Sequence, residues 1–150
     1  VSTATKPRPF RLTAPAVPEQ DLHEQVARIL DLELAPPVAW TTFPAGSVPL
    51  PPAYAAKLTR MGLKPGWPDI LVLHGRLFGI ELKRHGGGLS QTRTVRTRLG
   101  RLRLVEGQAD VFPRLAAAGM TIGIARSVEE VLCLLDSWNV PRARRVRTAA

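Results

Sequence analysis

An α/β domain is the fold class this sequence predicts, and three observations predict it. Apolar residues recur at helical spacing in segments 19–32, 107–118 and 128–138. Short apolar runs rich in β-branched and aromatic residues stand between them. Near the middle of the chain, two such runs are joined by a Gly-containing turn, which is a hairpin signal. With 150 residues, 45% of them hydrophobic, the chain is long enough for one domain with a modest core.

Residues 1–18 are rich in Pro, Thr and Ala without sustained periodicity, and read as a flexible N-terminal arm. From Glu19 to Leu32 the spacing of Leu22, Val26, Ile29 and Leu30 predicts a helix with one apolar face. At about 100° per residue Glu19 falls within about 60° of Leu22, on that face, whereas Glu24 falls at about 200°, on the far side. A carboxylate on a buried face must be paired or bound to a cation. At a helix start, Glu19 would also suit the positive end of the helix dipole. Pro36-Pro37 ends the helical region. Val38–Phe43 reads as a strand, Pro44-Ala45-Gly46 as a break, and Ala53–Met61 as a short helix stopped by Gly62. Lys57, Arg60 and Lys64 suit either a phosphate track or a solvated face.

Pro68-Asp69 then opens the run Ile70–Leu73, His74-Gly75-Arg76 makes a turn, and Leu77–Lys83 is a second strand. Strand side chains alternate faces, so Glu81 and Lys83 share one side. Pairing of the two strands brings Asp69 near both. Two carboxylates and an ammonium in one small volume make physical sense around a divalent cation. Mg²⁺ is typically held by one or two carboxylates and keeps several waters. Trp67 packs under the turn or stacks on a base.

After Lys83, Arg84 opens a flexible Gly-rich stretch, followed by Ser90 and Gln91. Arg93, Arg96, Arg98, Arg101 and Arg103 crowd the next segment, where residues partly alternate about Gly100. An arginine-lined β-ribbon or a mobile loop fits this pattern, and either places cations beside the strand of Glu81. In the helix of 107–118, Ala109, Phe112, Leu115 and Ala116 form the apolar face. Gln108 lies about 40° from Phe112 and Asp110 points away. Met120–Ala125 is a strand. Ser127 and Glu130 make a capping box for the last helix, whose core side is Val128, Val131, Leu132, Leu135 and Trp138. The one cysteine, Cys133, reads as a small core residue, and residues 139–150 as a basic C-terminal tail.

The arrangement Pro68-Asp69 … Glu81-Leu82-Lys83 is similar to the core of the PD-(D/E)xK nuclease superfamily. The longer string from Met61 to Leu71, Met-Gly-Leu-Lys-Pro-Gly-Trp-Pro-Asp-Ile-Leu, resembles the VRR-NUC family more narrowly. The resemblance spans roughly Glu19 to Leu135 and makes 19–138 the nuclease-like domain. It implies a restriction-endonuclease-like core, a central mixed β-sheet flanked by helices. It also implies a DNA endonuclease that uses Mg²⁺ or Mn²⁺, with branched, flapped or four-way-junction DNA as substrate and a homodimer as a further expectation. Asp69, Glu81 and the carbonyl of Leu82 would hold the metal, with Glu19 as a further or water-mediated ligand; Glu24 is the alternative. Lys83 would position the attacking water. A glutamine at the start of the later helix sits in the family's active site. Gln108 matches it by its distance to Leu115 and Gly119, while Gln91 follows a serine but lacks the helix pattern after it. Lys64, Arg84 and the five arginines would contact DNA.

The formal net charge of +9 points to a polyanionic partner, most simply nucleic acid. No apolar run approaches the length of a membrane span, which excludes a helical membrane protein. A single cysteine permits no internal disulfide, and with no evident secretory signal the chain fits a reducing cytoplasm.

Overall fold

The computed structural model describes residues 19–43 and 50–143, with the side chain of Glu19 outside that description. Helix α1 runs Glu19–Glu33, followed by β1 Ala39–Thr42, α2 Pro52–Arg60, β2 Ile70–His74 and β3 Arg76–Leu82. Then come β4 Arg93–Arg96, β5 Leu102–Val105, α3 Gln108–Ala117, β6 Thr121–Ala125 and α4 Val128–Ser137. Among the described residues, four strands form one sheet in the order β1-β2-β3-β6. The pairs β1/β2 and β2/β3 are antiparallel and β3/β6 is parallel, so the sheet is mixed and flanked by helices. The parallel partner requires a crossover, and α3 lies within it.

Strand alternation gives the sheet two unlike faces. Ile70, Val72, Phe78, Ile80, Leu82 and Ala125 are buried on one, against Leu22, Val26 and Leu30 of α1 and Val131 and Leu135 of α4. Full burial of such side chains contributes roughly 1.5–3 kcal/mol each. Phe78 stacks on Trp138 with ring centroids 4.9 Å apart. On the opposite face α3 packs by Val111 and Phe112, and this is the face that carries Glu81. The expected apolar stripe of α3 is thereby corrected by about one residue. Val111 is buried and Ala116 is exposed, because Val111 lies under the backbone of Gly66, where an added Cβ would stand 2.8 Å from its Cγ2.

Local chemistry explains the element ends. Gly62, at φ 102°, follows α2 and lets the chain turn back: its N–H donates to Thr59 O (3.1 Å) and the N–H of Leu63 to Leu58 O (2.9 Å). Ser127 Oγ accepts from the N–H of Glu130 at 3.2 Å, as the capping box requires. The return bond departs from it, since Glu130 Oε2 accepts from the N–H of Arg126 rather than Ser127. Cys133, expected in the core, is exposed. At 100° per residue it stands about 200° from both Val131 and Leu135, the buried stripe of its helix.

The arginine-rich segment is a ribbon. β4 and β5 pair antiparallel as a separate two-stranded sheet, Arg93 opposite Val105 and Arg96 opposite Leu102. All five of its arginines are exposed, as are Leu99, Leu102 and Leu104. Packing also runs past the expected boundary at 138. Val140 is buried in the core, and Arg142 is held by Glu33 (3.1 Å) and Asp136 (2.9 Å) rather than free in a tail. The expected arm 1–18, the break at Pro44-Ala45-Gly46 and the tail beyond Ala143 lie outside the described residues. No helix among those described is long and apolar enough to cross a membrane.

Candidate active site

Ile70 pairs with Ile80, so continuing the antiparallel register by one residue sets Asp69 opposite Glu81 on the same face. Gly79 makes room for this. A Cβ there would stand 2.6 Å from Cγ of Pro68, so only glycine lets the buried ring lie against β3 and hold Asp69 at the strand entrance. Asp69 Oδ2 accepts the backbone N–H of Leu82 at 2.9 Å. A strand residue's N–H and C=O face the same edge. The Leu82 carbonyl therefore lies on the Asp69 side of β3, while the next N–H, of Lys83, turns to Ala125 O at 2.9 Å.

Glu81 is the one buried charged residue among those described, with 1% of its surface exposed. Its two oxygens differ sharply. Oε1 receives both Lys83 Nζ at 2.6 Å and Gln108 Nε2 at 2.5 Å. Oε2 is buried without a hydrogen-bond partner. Burial, and then the facing Asp69 carboxylate, push the Glu81 carboxyl up to about 7, although Lys83 and Gln108 pull the other way. A buried acceptor left unpaired costs free energy, and two facing carboxylates repel. A divalent cation beside Oε2 would remove both penalties, and the donor set is all oxygen, as Mg²⁺ and Mn²⁺ prefer. The residues present thus fit such an ion. No group of three or more His, Cys, Asp and Glu suited to a metal occurs among the described residues, so the described protein donors are two carboxylates and the Leu82 carbonyl.

Gln108 reaches Glu81 because a distant segment fixes the start of α3. The N–H of Gln108 donates to Ser90 Oγ (3.0 Å), its Oε1 accepts from the N–H of Ser90 (3.2 Å), and the N–H of Ala109 donates to Ser90 O (3.1 Å). Thr92 Oγ1 adds a bond from the N–H of Gly107 (2.9 Å) and another to Asp110. The chain at 90–92 lies so close that a Cβ on Gly107 would stand 2.3 Å from Ser90 O and Gln91 C. Ser90, Thr92 and Gly107 position the site without carrying a motif of their own. The one hint in the sequence is Ser90-Gln91, which marks the docking segment rather than the site glutamine, for Gln91 is exposed.

Asp69, Glu81, Lys83 and Gln108 therefore come together from three segments. Glu24 does not join them. It is exposed and pairs with Arg28 on its own helix at 3.8 Å. The side chain of Glu19, the expected contributor from a fourth segment, lies outside the described residues. Arg84 is exposed just beyond Lys83, the ribbon springs from the docking segment of Gln108, and Lys64 lines a cleft beside α3. Comparison with protein-family models, with curated proteins and with solved structures finds no match, so the functional reading rests on these residues and their geometry.

Proposed function

We propose that this chain is a divalent-metal-dependent DNA endonuclease of the VRR-NUC kind, with a restriction-endonuclease-like core, hydrolysing phosphodiester bonds. One observation carries the reading: the buried, partnerless Oε2 of Glu81, a residue set opposite Asp69 by the strand register, with an amine on its other oxygen. Asp69, Glu81 Oε2 and the Leu82 carbonyl would hold Mg²⁺ or Mn²⁺, and Glu19 is the proposed further ligand. Bound there, the ion supplies a water of lowered pKa and a counter-charge for phosphoryl oxygens. An ammonium has three donors, so after one N–H to Glu81, Lys83 keeps two for the attacking water and for the charge that develops on the phosphate. Gln108 holds Glu81 by Oε1 of the carboxylate, leaving Oε2 for the ion. The arginines of β4 and β5 carry phosphate contacts that bind DNA without reading sequence.

Nicking of supercoiled plasmid tests this, with Mg²⁺ and with Mn²⁺. Wild type should nick in a metal-dependent way. Asp69→Ala and Lys83→Ala should lose at least a hundredfold in rate while keeping DNA affinity within a few fold, roughly the scale of removing a single transition-state donor. Retained cleavage in either variant would overturn the assignment. The five exposed arginines would equally serve a nucleic-acid-binding module without chemistry, and intact binding with no cleavage of plasmid, junction, flap, nicked or linear DNA would establish that alternative. A panel of junction, flap, nicked and linear DNA identifies the structure cut. A homodimer would present two sites to a four-way junction, and its mass in solution reveals it.

A further inference from the structure

A cleft of about 380 Å³ opens between the segment before Asp69 and helix α3, within the size range of small-ligand sites. Trp67, Pro65, Val111 and Leu115 give it apolar walls, and Lys64, Glu106 and Arg114 supply charge. Its position follows from the helix. Gln108, Val111 and Leu115 recur at i, i+3 and i+7, one stripe of α3. The residue that touches Glu81 and the cleft wall are thus about 5 Å apart along the axis. On the other side Trp67 precedes Asp69 by two residues. Phe43 stacks on Trp67 with centroids 5.3 Å apart and holds the indole in place.

We propose that this cleft binds one unpaired nucleobase of the DNA strand, next to the phosphate at Asp69 and Glu81. The placement relative to the cut bond rests on the nuclease reading; the binding of a base does not. The chemistry fits a nucleotide at three points. A base offers a flat π face to Trp67, and base–aromatic stacking of this kind tolerates any base. Its polar edge meets the Arg114–Glu106 pair, joined at 2.7 Å, which presents both donors and an acceptor. Its phosphate meets Lys64, an exposed cation on the same cleft. Bases in an intact duplex are stacked and paired, and extruding one costs free energy, least where the base is already unpaired. The substrate class is therefore DNA with an unpaired nucleotide beside the cut, such as a flap or a single-stranded overhang.

Binding of the full chain to a duplex with a single-stranded overhang, in metal-free buffer so that nothing is cleaved, tests the proposal. An abasic site is moved along the overhang one nucleotide at a time. At one position the loss of the base should weaken binding about tenfold, the scale of one lost base–aromatic stack. Trp67→Ala should bind the intact DNA more weakly and show no abasic penalty, while Lys64→Ala should weaken intact and abasic DNA alike. Should Trp67→Ala fail to fold, 5-iodouracil at the sensitive position of the wild-type complex should crosslink to the peptide containing Trp67. Absence of any sensitive position, a penalty undiminished in Trp67→Ala, or crosslinks confined to residues 93–105 would overturn it. Base sensitivity without metal-dependent cleavage of any plasmid, junction, flap, nicked or linear DNA would sink the nuclease reading and leave the cleft standing; cleavage without base sensitivity would do the reverse.

Discussion

At Glu81, burial and Asp69 raise the carboxyl from its ordinary 4.5 to about 7, and the sign of that shift has a consequence for stability. A carboxyl with a raised folded pKa binds more protons folded than unfolded. Its contribution to stability is complete below about 4.5 and is lost as pH rises through about 7. The metal-free protein should therefore lose on the order of 2–3 kcal/mol between pH 4.5 and 8 from this group. Glu81→Gln, which keeps the shape without the charge, should flatten that part of the profile. At pH 8 it should raise metal-free stability while abolishing cleavage, as read by urea denaturation across pH. A Glu81→Gln protein less stable than wild type at pH 8 would count against the account. Much at this scale was legible in the sequence. Alternation puts Glu81 and Lys83 on one side of their strand, pairing of the hairpin brings Asp69 near them, and Gln108 follows from the family resemblance together with its helical phase. Cys133 was misread because local apolarity was weighed above the phase that turns it outward.

Among elements, α3 owes its placement to a segment 18 residues earlier, Ser90 against Gln108. No local propensity encodes such a contact, and for that reason Ser90, Thr92 and Gly107 could not be read as site-positioning residues. Gly107→Ala would force a Cβ to 2.3 Å from backbone atoms that cannot swing aside, and should cost several kcal/mol, more than the roughly 1–3 kcal/mol usual for overpacking. Thermal unfolding would show it. Ser90→Ala is milder. It removes the Ser90 hydroxyl that accepts the N–H of Gln108 at the start of α3, a loss of about 1 kcal/mol, and loosens Gln108. It should lower the cleavage rate proportionally more than it lowers stability, and equal effects on both would deny Ser90 its positioning part. The ribbon was legible only as one of two readings, since alternating arginines about a glycine suit a mobile loop as well as paired strands.

For the whole molecule, the order of elements around the main sheet was legible because each segment's periodicity agrees with its place. Which face α3 covers was not, because that depends on Gly66 and Gly79 letting neighbouring chains approach. Charge is distributed with the same asymmetry. No acidic residue occurs between Glu81 and Glu106, while Lys83, Arg84 and the five ribbon arginines fall in that interval. Removing phosphate contacts lowers the salt dependence of DNA binding by about one unit of slope per contact. Arg93→Ala with Arg103→Ala should therefore weaken binding to all DNA sequences alike and reduce the slope by about two, as measured by anisotropy from 50 to 200 mM salt. An unchanged slope would place the ribbon away from DNA.

The central claim is that Asp69 and Glu81 share one cation. Diffraction from a crystal soaked in Mn²⁺ measures it most directly. The account predicts an anomalous peak within coordination distance of Asp69, Glu81 Oε2 and the Leu82 carbonyl, absent from Glu81→Gln. A wild-type crystal with no peak there, and Oε2 satisfied by a protein donor instead, would contradict it.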